Sequence, residues 1–322
     1  MVEAGRIVSV WRYPVKSMAG ERVPFADVTA LGVHADRTWA VRDVEHDTTT
    51  GAKKLPGLLW CTARYAQTPP PDAGPGHAPE VIIGFPDGRE FSSSDPGVHP
   101  ALSDHVDREV ELRALPPIAD RRQYRTPMAT KTDLRTIFGL EADEPLPDLS
   151  MFPVRKLAEI TRYATPIGSY VDAYPVHILT TRSLAAMAAV APGSDFDVRR
   201  FRPTLLIDSP AGSEHPEWDW CGGVLHGPDA ALQPLIPTIR CVMPSHDQPG
   251  LTRDREITRS IAAHSRRCLG AYGNVLKPGR IAEDDALRLE PPARQAGESA
   301  AAKVKRTLMR AVAAAIPNGG RN

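Results

Sequence analysis

Short runs of apolar residues alternating with polar ones dominate this chain. RIVSVWRYPV, RTWAVRDV, EVIIGF, REVELRAL, PVHIL, PTLLID and ALRLE are rich in β-branched residues and read as strands. FPDGREF places Asp-Gly between apolar positions, the signature of a hairpin turn. TPPPDAGPGHAPE, residues 68–80, is a loop and reads as the tip of a long hairpin. A helical period is rarer. TRSLAAMAAVAPG has Thr181 as its N-cap, Leu184 and Met187 on one face, and Pro192-Gly193 as its stop. DREITRSIAAHSRRCLG puts Ile257, Ile261 and Cys268 near one face, and VKRTLMRAVAAAI puts Val304, Leu308 and Val312 at i, i+4, i+8. Strands at short spacing without βαβ alternation favour barrels or sandwiches over a doubly wound sheet. LPPIADRRQYRTP followed by EADEPLPDLSMFP marks a boundary between about residues 115 and 150.

Composition narrows this picture. The 322 residues suffice for one large or two ordinary domains. Lys+Arg and Asp+Glu are both 39, so no global field favours nucleic acid or membranes. The last 22 residues depart from that balance, with five basic residues and no acidic one. This amphipathic basic tail fits either a surface helix capping the barrel or docking to an acidic partner or anionic membrane. The N-terminal stretch lacks the apolar core of a signal peptide, and no run approaches a membrane span. Cys61, Cys221, Cys241 and Cys268 lie far apart, without the paired spacing of a zinc or iron–sulfur site or of a disulfide scaffold. A cytoplasmic protein with reduced thiols is the expectation.

Candidate chemistry gathers in a few places. In PTIRCVMPSHDQPG, Cys241 follows Arg240 and precedes a loop with His246 and Asp247. On the local sequence alone it reads as a buried filler, the alternative being a thiolate that binds or attacks. A Cys–His nucleophile pair requires His246 to face the sulfur, and catalytic pairs usually meet across a fold rather than along one turn. Three basic stretches, RYPVKSM, ADRTWAV and RRFRPTLLID, offer Lys16, Ser17, Arg37, Arg199, Arg200 and Arg202 to an anion. There is no G-x-S-x-G elbow, H-E-x-x-H, Walker A lysine or G-x-G-x-x-G.

Taken in order, RYPVKSM, the LGVHADRTW run, RFRPTLLID, WCGGVLHG, RCVMPSHDQPG and GAYGNVLKPGRI resemble the MOSC-domain proteins that carry an N-terminal MOSC β-barrel domain. The likeness spans most of residues 6–290 and is greatest to bacterial proteins similar to the mitochondrial amidoxime-reducing component. It implies a mainly β (α+β) fold: a MOSC-type β-barrel, an N-terminal β-barrel domain and a few peripheral helices. The corresponding divisions are 1–115, a connecting segment 116–150, 151–292 and the tail 293–322.

The resemblance also implies a molybdenum pyranopterin cofactor, with Cys241 as its metal ligand and catalytic residue, since soft thiolates suit such metals. It places Lys16, Ser17, Arg37, Thr180, Thr181, Arg202 and Arg240 at the pterin and its phosphate, and Asp247 at the substrate face. Arg240 alternatively pairs with an acid, and Asp247 alternatively makes an Asx-turn. Thr204 stands where the family often has asparagine. The implied activity is reduction of N-hydroxylated or N-oxygenated compounds by oxygen-atom transfer, with electrons from a separate flavin or iron–sulfur reductase. The alternative is a molybdenum-cofactor or sulfur carrier without redox turnover. Pyridoxal phosphate binding is a further property associated with the domain.

Overall fold

The computed structural model describes residues 1–292, so the expected basic tail over 293–322 lies outside the described residues. Seven strands close a barrel: Val2–Arg12, Leu205–Asp208, Val176–Thr180, Cys268–Lys277, Ala231–Ile239, Val224–His226 and Ala286–Glu290, in that spatial order and back to the first. All neighbours are antiparallel except Val176–Thr180 and Leu205–Asp208, which run parallel through the Ile178–Leu205 register. The Val2–Arg12 strand therefore closes the barrel between two segments far along the chain, pairing Ile7 with Ile207 and Val2 with Leu289. Alternation decides which residues point inward. Ile7, Val10, Val176, Ile178, Leu205, Ile207, Leu225, Leu232, Leu287 and Leu289 are buried in one cluster.

A second layer is built from residues 39–114. Trp39–Asp43 pairs with Val110–Ala114 and with Thr48–Thr49. Thr62–Tyr65, Val81–Gly84 and Glu90–Ser92 form a meander. The last two strands turn at the Asp-Gly expected from FPDGREF, where Gly88 takes φ 87°, and residues 68–80 are the long hairpin connection. Val15, Met18, Val41, Leu58, Val81, Ile83, Leu102 and Leu112 form this layer's core. Helix Val98–Val106 packs on it.

Two helix ends differ from the sequence reading. The N-cap of Thr181–Val190 is Thr180, whose side chain accepts from the Ser183 N–H. Helix Arg255–His264 stops before Cys268, because Arg266 and Arg267 take left-handed φ of 51° and 62° and turn the chain into strand Cys268–Lys277. The connecting region also contains helices Lys131–Phe138 and Val154–Arg162. The first is opened by a Thr130–Asp133 capping box. No helix among the described residues is long and apolar enough to cross a membrane.

Candidate functional site

The site forms where the outer flank of the barrel meets the turns after strand Val2–Arg12. Tyr13 is its hub. Its hydroxyl donates to the Pro203 carbonyl at 2.9 Å, and its N–H donates to Asp36 Oδ1 at 2.8 Å. Two guanidiniums stack on its ring, Arg202 at 4.2 Å and Arg37 at 4.6 Å from the ring centre. Arg37 also pairs with Asp36, and Arg202 Nη1 donates to the Met18 carbonyl. Burial, opposed in part by the two arginines, raises the Tyr13 phenol far above its ordinary range, so it stays a neutral donor.

Strain marks the same place. Ser17, Arg37 and Arg202 all have positive φ, at 70°, 51° and 51°. Such conformations in non-glycine residues cost about 1–3 kcal/mol each and persist where surrounding contacts enforce them. For Ser17 the contact is its Oγ, which accepts from the Ala52 N–H at 2.9 Å. Gly51 permits that approach, because a Cβ there would stand 2.5 Å from Ser17 Oγ.

A charge network lies beside these turns. Asp172 takes Lys16 Nζ on one oxygen at 2.6 Å and Lys53 Nζ on the other at 3.0 Å. Lys16 also donates to the Tyr170 carbonyl at 2.8 Å. Burial pulls the Lys16 ammonium down to about 8, against the opposing pull of Asp172. For Lys53 burial acts in the same direction, but Asp172, Cys241 and Tyr272 outweigh it and raise that ammonium above its usual range. Burial opposes ionisation of Asp172, yet the two lysines hold its carboxyl well below the carboxylate range.

Cys241 is half-buried and joins Ala52, Leu59 and Met243 in a small apolar cluster between the two layers. Its neighbour Arg240 is 6% exposed and donates Nη2 to the Phe201 carbonyl at 3.0 Å. Arg240 Nη1 approaches His177 Nε2 at 3.4 Å, so it pairs with no acid there. Burial and then Arg240 lower His177 to about 3, leaving it neutral. Arg202 Nη2 and Arg240 Nε are buried and have no hydrogen-bond partner. Orphaned guanidinium N–H groups in a basic, partly desolvated cluster fit an anionic ligand. A thiol alongside suits a soft metal.

Other residues singled out from sequence fall elsewhere. The Thr180 hydroxyl donates to Glu217 at 2.7 Å and Thr181 donates to Asp208 at 2.7 Å, so both engage carboxylates rather than the arginines. Asp247 accepts from Trp60 Nε1 at 3.1 Å and ties the Cys241 loop to the other layer. Buried His246 has its Nε2 unpartnered, so no Cys–His hydrogen bond forms. Arg199 pairs with Asp197 at 2.8 Å. Arg200 is 2% exposed and clamps the loop, donating to the carbonyls of Asp195, Pro244, His246 and Thr252. Thr204 Oγ1 accepts from the His177 N–H at 3.0 Å. Tyr13, Lys53, Asp172, His177 and Tyr272 were not singled out from sequence, since no motif links positions so far apart.

The fold and site together define a β-barrel protein with a strained basic cluster beside a thiol. The chain belongs to the MOSC-domain proteins that carry an N-terminal MOSC barrel domain. The model of the MOSC N-terminal beta barrel domain matches residues 4–73 and that of the MOSC domain matches residues 167–288. MOSC domains are linked in general to binding of the molybdenum cofactor. No curated protein matches this chain. Among solved structures, the YuaD protein from Bacillus subtilis is similar at 10% identity and TM-score 0.40, over 90% of this chain and 97% of that one. YiiM from Geobacillus stearothermophilus is 18% identical with TM-score 0.29, over 43% of this chain and 64% of that one. YiiM from Escherichia coli is 14% identical with TM-score 0.33, over 45% and 81%.

Proposed function

We propose that this protein holds a molybdenum pyranopterin at the Cys241 cluster and reduces N-hydroxylated or N-oxygenated compounds. The observation that carries the reading is the pair of orphaned, buried guanidinium atoms, Arg202 Nη2 and Arg240 Nε, the second on the residue that directly precedes Cys241. Arg37, Arg202 and Arg240 would grip the anionic part of the cofactor, Ser17 would fix the turn that presents it, and Cys241 would ligate the metal. Such a cofactor, when bound, supplies two-electron oxygen-atom transfer. In sum, an N–OH group, two electrons and two protons give N–H and water, with a separate flavin or iron–sulfur reductase as the electron source.

The chain's own residues prepare this chemistry. Tyr13, Tyr272 and His177 stay neutral by burial, so they do not compete for the anion's counter-charges. Lys16 Nζ, brought down to about 8, can release and regain a proton near neutrality. Asp172 neutralises part of the excess positive charge. The test is molybdenum content by elemental analysis, for wild type and Cys241→Ala expressed in a cofactor-competent host. Near-stoichiometric metal, with reduction of a hydroxylamine-type substrate lost in the variant, supports the reading. Metal-free protein from both preparations sinks it, and metal without turnover points to a carrier.

A further inference from the structure

A second basic site lies on the other side of the Trp39–Asp43 sheet's turn. The sequence DRRQYRTP packs three arginines into five positions, Arg121, Arg122 and Arg125. In the structure Arg121–Tyr124 is a single 3-10 turn and Arg125 is extended. The turn is fastened from beneath and from the side. Tyr124 is 1% exposed, and its hydroxyl donates to the Pro116 carbonyl at 2.5 Å. Its carbonyl accepts from Ala164 N–H at 2.9 Å, Arg125 bridges to Tyr163, and Thr126 N–H donates to the Arg162 carbonyl at 3.3 Å. Backbone held in this way presents the arginines at fixed positions.

The three arginines line a cleft of about 540 Å³ whose opposite wall is His46 and Asp47. None of the three has an acidic partner or a side-chain hydrogen bond among the described residues. Pairing among the other exposed arginines is mixed. Arg64 pairs with Glu90, Arg89 with Asp87 and Arg280 with Asp27, whereas Arg155, Arg253, Arg259 and Arg288 stand singly without a side-chain partner among the described residues. At this turn three such arginines share one cleft. The acid facing them is already engaged, since Asp47 Oδ1 takes Arg42 Nε at 2.9 Å. His46 in turn contacts Asp43 and Arg108. The cleft thus concentrates three uncompensated positive charges, and no residue of the Cys241 cluster lines it.

Guanidinium forks match phosphate oxygens bidentately. The cleft is open to solvent and lined almost wholly by polar side chains, so a ligand there is held by charge rather than by enclosure. A bare diphosphate fills only part of it, which leaves space for an organic group beside the charged end. We propose that this cleft is a second anion site that takes a small organic diphosphate.

Isothermal titration of the full chain with inorganic pyrophosphate and with ADP tests this. Both bind, ADP the more tightly, and the Arg121→Gln/Arg125→Gln variant weakens both at least tenfold. Because these side chains are exposed and unpaired, thermal melting is unchanged; single Arg122→Gln serves should the double variant fail to fold. Arg64→Gln and Arg89→Gln, in the distant meander and with acidic partners of their own, leave binding as in wild type. The proposal is overturned by absence of binding, by cleft variants that bind as wild type does, or by equal weakening in Arg64→Gln or Arg89→Gln. Binding of poly-glutamate but neither phosphate compound also overturns it, and assigns the cleft to an acidic macromolecule.

Discussion

Replacing Asp172 by asparagine removes one negative charge from between two ammonium groups and keeps the side chain's shape. Lys16 and Lys53 then lose the carboxylate they share, beside Arg37, Arg202 and Arg240, and Asp36 remains as the counter-charge of Arg37. Breaking a fully buried ion pair on one side costs about 3–5 kcal/mol, and an exposed pair about 0–1 kcal/mol. Asp172 and Lys53 keep 34% and 30% of their side-chain surface exposed, and Lys16 keeps 12%. The expected loss is intermediate, about 2 kcal/mol, or about 3 °C in Tm for a chain of this size.

The sign of the pH dependence follows from Lys16. Its proton is held less tightly folded, at about 8, than unfolded, near 10.5. The unfolded chain therefore binds more protons at this site between those values, and the Lys16 contribution to stability rises with pH across that window. The thiols of Cys61, Cys221 and Cys268, raised by burial, act the other way above 9.0. In Asp172→Asn the window opens below pH 8, because the carboxylate that opposed burial is gone. Urea unfolding midpoints on either side of pH 8 read this out. A double-mutant cycle with Lys53→Met isolates the pair, with an expected coupling of about 1–2 kcal/mol. Additivity within about 0.3 kcal/mol, or an unchanged midpoint in Asp172→Asn, refutes the reasoning.

Three further outcomes follow from the geometry. Arg200→Met leaves four loop carbonyls without their donor, so stability falls by about 3 kcal/mol in urea denaturation, and metal loading of the protein expressed in a cofactor-competent host falls with it. Gly51→Ala drives a methyl against Ser17 Oγ, placed 2.5 Å away, and lowers stability by about 1–3 kcal/mol, measured by thermal melting. His177 is neutral down to about 3 when folded but titrates near 6.5 unfolded. Stability therefore falls as pH drops below 6.5, by as much as about 4 kcal/mol, and His177→Gln flattens that part of the acid denaturation profile.

Much of the barrel was legible because alternation is a local signal. PVHIL, PTLLID and ALRLE become strands with their branched residues inward, since a period of two leaves one face to bury. What RIVSVWRYPV pairs with was not legible, because its partners Leu205–Asp208 and Ala286–Glu290 lie near the other end of the chain. The end of helix Arg255–His264 was hidden too, because arginine favours helices and nothing local announces left-handed backbone at Arg266 and Arg267. At the site, the residue types of Lys16, Ser17, Arg37 and Arg202 offer groups to an anion, while Arg240 enters only through the family resemblance. The turns after Val2–Arg12 gather the first four around Tyr13 and Asp172. Arg200, in the same run as Arg202, serves the loop carbonyls instead; only burial separates the two. Asp172 carried no local signal, since a carboxylate between lysines is visible only once distant turns meet.

Closure of the barrel by its first strand sets an order of events during synthesis. Val2–Arg12 is synthesised some 280 residues before Leu289, which pairs with Val2. At about 5–20 residues per second that is a wait of roughly 15–55 s. Throughout it an eleven-residue β-strand lacks at least one of its two long-range neighbours, a template for wrong pairing. The nascent chain is thus most exposed to aggregation and to chaperones along this strand, and slow translation of the segment up to Leu289 lengthens that exposure.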